Sequence, residues 1–86
     1  MKTAKTMFEE LGYEERVNNE AHLVYFKFEY LDFNKSKEYI IEFHKKEREI
    51  EKFSEYTHIN LIGSEPLKIN ELQAINKQVE ELGWND

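Results

Sequence analysis

Ala21-His22-Leu23-Val24-Tyr25-Phe26-Lys27-Phe28-Glu29-Tyr30-Leu31 is the stretch that decides the fold. Aromatic and β-branched residues recur in it with a period of two, as in a pleated strand with two distinct faces. Val24, Phe26, Phe28 and Tyr30 share one face; Leu23, Tyr25, Lys27 and Glu29 share the other. The first set is uniformly apolar and the second mixed, so the first is expected to face the core. Downstream, Asp32-Phe33-Asn34-Lys35-Ser36 has the composition of a turn. Glu38 to His44 then alternates again, with Tyr39, Ile41 and Phe43 expected inward and Glu38, Ile40, Glu42 and His44 outward. Lys45-Lys46-Glu47 makes a second tight connection. Arg48 to Phe53 reads as a charged strand returning as a hairpin, since charge on an edge discourages edge-to-edge pairing. Ile50 and Phe53, three apart, also suit a helix. Upstream, Asn18-Asn19-Glu20 reads as a turn, and Tyr13 to Val17 is long enough for a short strand.

Two helices bracket these strands. Glu9-Glu10-Leu11-Gly12-Tyr13 returns as Glu80-Glu81-Leu82-Gly83-Trp84. A glycine just past a helix can take the left-handed conformation that lets the last carbonyls find donors. An aromatic after it can fold back, Tyr13 onto Phe8 and Trp84 onto Val79. Thr3 caps the first helix, and Ala4, Met7, Phe8 and Leu11 form its apolar stripe. Asn70 is expected to cap the last helix with Gln73 in a capping box, and Ile69 with Ala74 in a hydrophobic staple. Leu72, Ile75, Val79 and Leu82 form its stripe. Between strands and helix, Ile59, Leu61 and Ile62 need burial, with a short strand as one solution. Gly63-Ser64-Glu65-Pro66 reads as a loop. The expected architecture is α+β: residues 1–86 form one domain, a three- to four-stranded antiparallel meander sheet with the N-terminal and C-terminal helices on one face. That face is expected to be the one carrying Phe26 and Ile41.

Six phenylalanines, five tyrosines and one tryptophan argue against disorder. The chain has no cysteine, which excludes disulfides and thiolate metal sites and makes the cytoplasm the expected location. Met1 to Thr6 runs into a glutamate-bearing helical pattern rather than the apolar core of a signal peptide. No stretch approaches the roughly 20 apolar residues a membrane span needs, so no membrane role is expected. The net charge of −6 disfavours DNA, RNA and anionic membranes as partners and is compatible with a basic one.

The residues offer little chemistry. Ser36, Ser54 and Ser64 lack a nucleophile-elbow context. His22, His44 and His58 show no metal-site spacing along the chain, although His44 and Glu42 share a strand face. Gly12, Gly63 and Gly83 are too scattered to cradle a phosphate. The paired glutamates 9/10, 14/15 and 80/81 lie on polar faces, where no carboxyl is desolvated for acid catalysis. Lys45, Lys46 and Arg48 are interrupted by Glu47, Glu49 and Glu51. No enzyme activity, catalytic residue, cofactor or metal is expected. Leu23, Tyr25, Leu31 and Ile40 stand out as an apolar group on the sheet's expected outer face, a candidate contact for a protein partner or a second copy of the chain. Asn76 is expected at the edge of the last helix's buried stripe, held by a structural hydrogen bond.

Two segments carry a resemblance. Residues 3–13, Thr3-Ala4-Lys5-Thr6-Met7-Phe8-Glu9-Glu10-Leu11-Gly12-Tyr13, and residues 71–84, ending Val79-Glu80-Glu81-Leu82-Gly83-Trp84, resemble the opening and the ending of small uncharacterised phage, prophage and mobile-element proteins of Gram-positive bacteria. The resemblance implies a mobile-element accessory protein and transfers no catalytic residue. The functional expectation is a non-enzymatic protein-interaction module. The alternative is an acidic inhibitor that mimics nucleic acid on a basic host enzyme.

Overall fold

In the computed structural model, which describes residues 2–56, 59 and 61–85, seven elements follow one another along the chain. They are α1 (Ala4–Glu10), β1 (Glu14–Asn18), β2 (His22–Asp32), β3 (Lys35–His44), β4 (Glu49–Tyr56), β5 (Leu61–Ser64) and α2 (Ile69–Glu81). The strands form one sheet in the order β1-β2-β3-β4-β5, each antiparallel to the next. The architecture is thus α+β with five strands rather than three or four. The stretch after the turn at Arg48 is strand from Glu49 on, and the fifth strand takes in Gly63 and Ser64, which composition alone assigns to a loop. His58, with Met1, Thr57, Asn60 and Asp86, lies outside the described residues, as does part of the stretch around Ile59.

The β2–β3 hairpin turns through Phe33 and Asn34, both with positive φ (23° and 62°). This is the primed two-residue geometry that matches strand twist. Asp32 pairs with Lys35, but the next pair is Tyr30 with Ser36, so Leu31 has no counterpart. That one-residue bulge sets every pair beyond it: Tyr25 faces Ile41 and Leu23 faces Phe43. Without it the register would join Phe26 to Ile41. A one-residue slip moves a strand's whole side-chain set to the other face. The face expected for β2 is therefore inverted: Leu23 and Tyr25 are buried in the core, and Val24, Phe26, Phe28 and Tyr30 lie on the opposite side. For β3 the expected inward set, Tyr39, Ile41 and Phe43, does face the helices.

Both helices cover that face. The Phe8 ring stacks on Tyr25 with centroids 4.0 Å apart and meets Tyr13 and Phe43 edge-on. Ala74 and Ile75 of α2 close the same cluster, with Trp84 against Phe43. Both helices end in the same double hydrogen bond. Tyr13 N–H donates to the Phe8 carbonyl (2.9 Å) and Gly12 N–H to that of Glu9 (3.0 Å). Trp84 N–H donates to Val79 and Gly83 N–H to Glu80, each at 3.1 Å. Gly12 and Gly83 sit at φ 92° and 76°, the left-handed conformation this ending requires.

Thr3 caps α1, accepting from the Thr6 amide at 3.2 Å. At α2 the expected cap is displaced. The helix starts two residues earlier than an Asn70 cap would place it, with Lys68 as the capping position. The Glu71 carboxylate accepts the Lys68 amide at 3.0 Å, and Asn70 and Gln73 are exposed. A carboxylate is the stronger acceptor and suits the positive end of the helix dipole. Ile69 is exposed, so no staple forms, and Asn76 is exposed as well. The buried polar residues of α2 are instead Glu71 and Gln78.

Candidate functional site

With both helices on one side, the other face of the sheet stands uncovered. Its centre is apolar: Val24, Phe26 and Phe28 on β2, Ile40 on β3, and Phe53 on β4, opposite Ile40. Phe26 and Phe28 meet edge-to-face at 5.4 Å. Phe28 is 49% exposed and Ile62, on β5, 62%. Ile59 and Leu61 are also exposed, so the burial expected of all three is not found.

The four residues picked from sequence as a contact group separate. Leu23 and Tyr25 are core residues beneath the helices and are closed to a partner. Ile40 lies on the uncovered face, itself buried among its neighbours, and Leu31 is the half-exposed bulge residue. The uncovered face exists as expected, but β2 fills it with the other half of its side chains.

Glutamates surround the apolar centre, two pairs of them directly across from each other: Glu38 opposite Glu55, and Glu42 opposite Glu51. Like charges facing each other across strands are destabilising, by up to about 1 kcal/mol per pair. Cations on the same face offset part of this. Arg16, the unpaired residue of a second bulge between Glu15 and Val17, lays its guanidinium 3.9 Å over the Phe26 ring and donates to Glu38 at 2.6 Å.

Two histidines serve the other pair. His22 and His44 are cross-strand partners with ring centroids 5.4 Å apart. Asn19 positions His22 by accepting its backbone amide at 2.8 Å in the turn before β2. His22 Nδ1 lies 2.8 Å from Glu42 Oε2. The two are close enough for an ion pair but not aligned as a hydrogen bond, and this buried nitrogen has no other partner among the described residues. His44 Nδ1 is 3.8 Å from the same Glu42 oxygen, and His44 Nε2 contacts Glu51 at 2.5 Å. The Glu51 hydrogen bond, outweighing desolvation, holds His44 above the usual histidine range. Spacing along the chain shows only the Glu42–His44 half of this cluster. The visible clue for the rest was a histidine at the start of one strand and an outward one at the end of the next, which a hairpin brings together.

Glu42 and Glu51 also wall a shallow depression of about 360 Å³, completed by Phe53, Ile62, Gly63 and Ser64. Among the serines, Ser54 is buried and donates to Glu65 at 2.7 Å, on the covered side of the sheet. Among the described residues no helix is long and apolar enough to cross a membrane. No protein-family model matches the chain, and no curated protein or solved structure is significantly similar to it.

Proposed function

We propose that this chain is a small non-enzymatic protein-interaction module, of the accessory kind that phages and mobile elements carry, and that the helix-free sheet face is its contact surface. The observation that carries this reading is the make-up of that face, an apolar centre of Val24, Phe26, Phe28, Ile40 and Phe53 ringed by Glu14, Glu38, Glu42, Glu51 and Glu55. A sheet that needed only stability would not place glutamates opposite each other twice. The fitting partner is a protein whose apolar patch is rimmed by lysine and arginine, because complementary rims steer encounter and fix orientation. The mobile-element origin rests on the resemblance of the two chain ends.

The test uses Phe28→Lys/Ile62→Lys, two exposed positions whose change leaves the core intact. The wild-type chain is expected to capture a basic protein partner that the double variant loses, with unchanged circular dichroism. Equal capture by both overturns the reading. Analytical ultracentrifugation of both proteins separates a homodimer from a distinct partner. The second reading, mimicry of nucleic acid on a basic enzyme, draws on the same glutamates. It predicts that Glu38→Gln/Glu55→Gln weakens binding more than the lysine variant does, with displacement by DNA.

A further inference from the structure

We propose that His22, Glu42 and His44 form a binding site for a divalent transition-metal ion of the Zn²⁺ class. One ligand atom from each of the three lies within 4.8 Å of the other two. A tetrahedral ion with bonds of roughly 2.0–2.1 Å holds its ligand atoms about 3.4 Å apart. Small rotations of side chains on adjacent strands cover that difference, because the backbone already places them side by side: His22 pairs with His44, and Glu42 lies two residues from His44.

Three details of this cluster go beyond proximity. His22 Nδ1 is buried and has no aligned hydrogen-bond partner among the described residues, an arrangement that ordinarily demands an explanation. It lies 2.8 Å from Glu42 Oε2, so a ring nitrogen and a carboxylate oxygen stand side by side. His44 presents Nδ1 to the same Glu42 oxygen while Glu51 engages its Nε2 at 2.5 Å. A carboxylate on the far nitrogen of a ligating histidine fixes the tautomer and the ring orientation, as in carboxylate–histidine–metal triads. Finally, an ion here would neutralise the opposed Glu42 and Glu51, whose juxtaposition the sheet alone does not favour.

Two imidazoles and one carboxylate select Zn²⁺, Co²⁺ or Ni²⁺ over the oxygen-seeking Mg²⁺ and Ca²⁺. Three protein ligands leave a fourth position open, as in zinc sites that accept water or an incoming donor. Glu42 also lines the depression shared with Glu51, Phe53 and Ile62, which lies beside the site. The site stands independently of the proposed contact function, since metal uptake needs no partner.

The test is titration of chelator-treated full-length protein with Zn²⁺ by calorimetry, and with Co²⁺ by visible absorption. One equivalent is expected to bind in the micromolar range, with the intense Co²⁺ bands of four- or five-coordination and no competition from excess Mg²⁺. His22→Asn and His44→Asn should each abolish the bands. Glu51→Gln, a positioning change, should weaken affinity about 10–100-fold while keeping the spectrum. Circular dichroism verifies the fold of each variant. No micromolar uptake by the wild-type protein, or unchanged uptake by His22→Asn/His44→Asn, overturns the site.

Discussion

Tyr13, at the stop of α1, donates its hydroxyl proton to Glu71 Oε2 in the first turn of α2 at 2.7 Å, across 58 residues of chain. The other oxygen of Glu71 accepts from Lys52 Nζ at 2.7 Å and from the Lys68 amide. One carboxylate thus ties the end of one helix, the start of the other and β4 into a single buried knot. A second link, Tyr25 hydroxyl to Gln78 Oε1 at 2.7 Å, fastens β2 to the last turn of α2.

The Lys52 and Glu71 side chains are only 4% and 2% exposed. Removing one charge of such a pair strands the other, so Glu71→Gln is expected to cost about 3–5 kcal/mol in urea unfolding. Lys52→Met/Glu71→Gln leaves no unpaired charge and should regain part of that loss. Strictly additive losses would show that the two do not act as a pair.

Stability should fall at both ends of the pH scale. Burial raises the Glu71 pKa, but hydrogen bonds from Lys52, the Lys68 amide and Tyr13 outweigh it, and the net shift is downward. Glu65 is lowered by hydrogen bonds from Lys37 and Ser54. Their contribution is full above the ordinary carboxylate pKa of roughly 4.3 and is lost as pH falls through the lowered folded values. Tyr13 and Tyr25 are raised, chiefly by burial, with Glu71 adding to the shift at Tyr13 and Glu15 to that at Tyr25. Their neutral forms stabilise fully below about pH 10, and that contribution is lost as pH climbs toward the folded values. Thermal melts across pH should show both arms, and Glu71→Gln should flatten the acid one.

Gly12→Ala and Gly83→Ala should each lower stability by about 1–2 kcal/mol, the cost of a Cβ in the left-handed region. At Gly12 the nearest atom to an added Cβ is Lys27 Cδ at 3.9 Å, so the cost is backbone strain and not a clash. Gly63, with open space around it and no positive φ, provides the control, and Gly63→Ala should be near neutral. Differential scanning calorimetry of the three variants compares them directly.

Deleting Leu31 should keep Tyr25 opposite Ile41 and leave the fold cooperative, because Asp32 then follows Tyr30 directly and the hairpin closes in the same register without a bulge. Cross-strand NMR contacts read the register. A deletion variant with Phe26 opposite Ile41 would mean that the unpaired Leu31 does not set the pairing.

The helix stops were legible in the chain because a glycine followed by an aromatic acts on its own last turn, within a few residues. The strands were legible because β3 alternates sharply between Tyr39, Ile41, Phe43 and the charged Glu38, Glu42, His44. The start of α2 was misplaced because Glu71 serves at once as cap, ion-pair partner and acceptor for Tyr13, roles that involve residues far away in sequence. The fifth strand stood only as one solution for Leu61 and Ile62, because Leu61 to Ser64 is short and carries no alternation that burial would impose.

Local order therefore belonged to the sequence by itself: two helices ended in the same way, an antiparallel meander between them, and a surface rich in glutamate. Tertiary structure alone decided which half of β2 is buried. Both its faces are apolar enough to serve, and a single unpaired residue at Leu31 reverses the choice. The same register places His22 opposite His44, and the β3–β4 pairing places Glu42 opposite Glu51, residues that no spacing along one strand connects. Strand pairing brings together groups far apart in sequence, and a one-residue difference in that pairing turns core into surface.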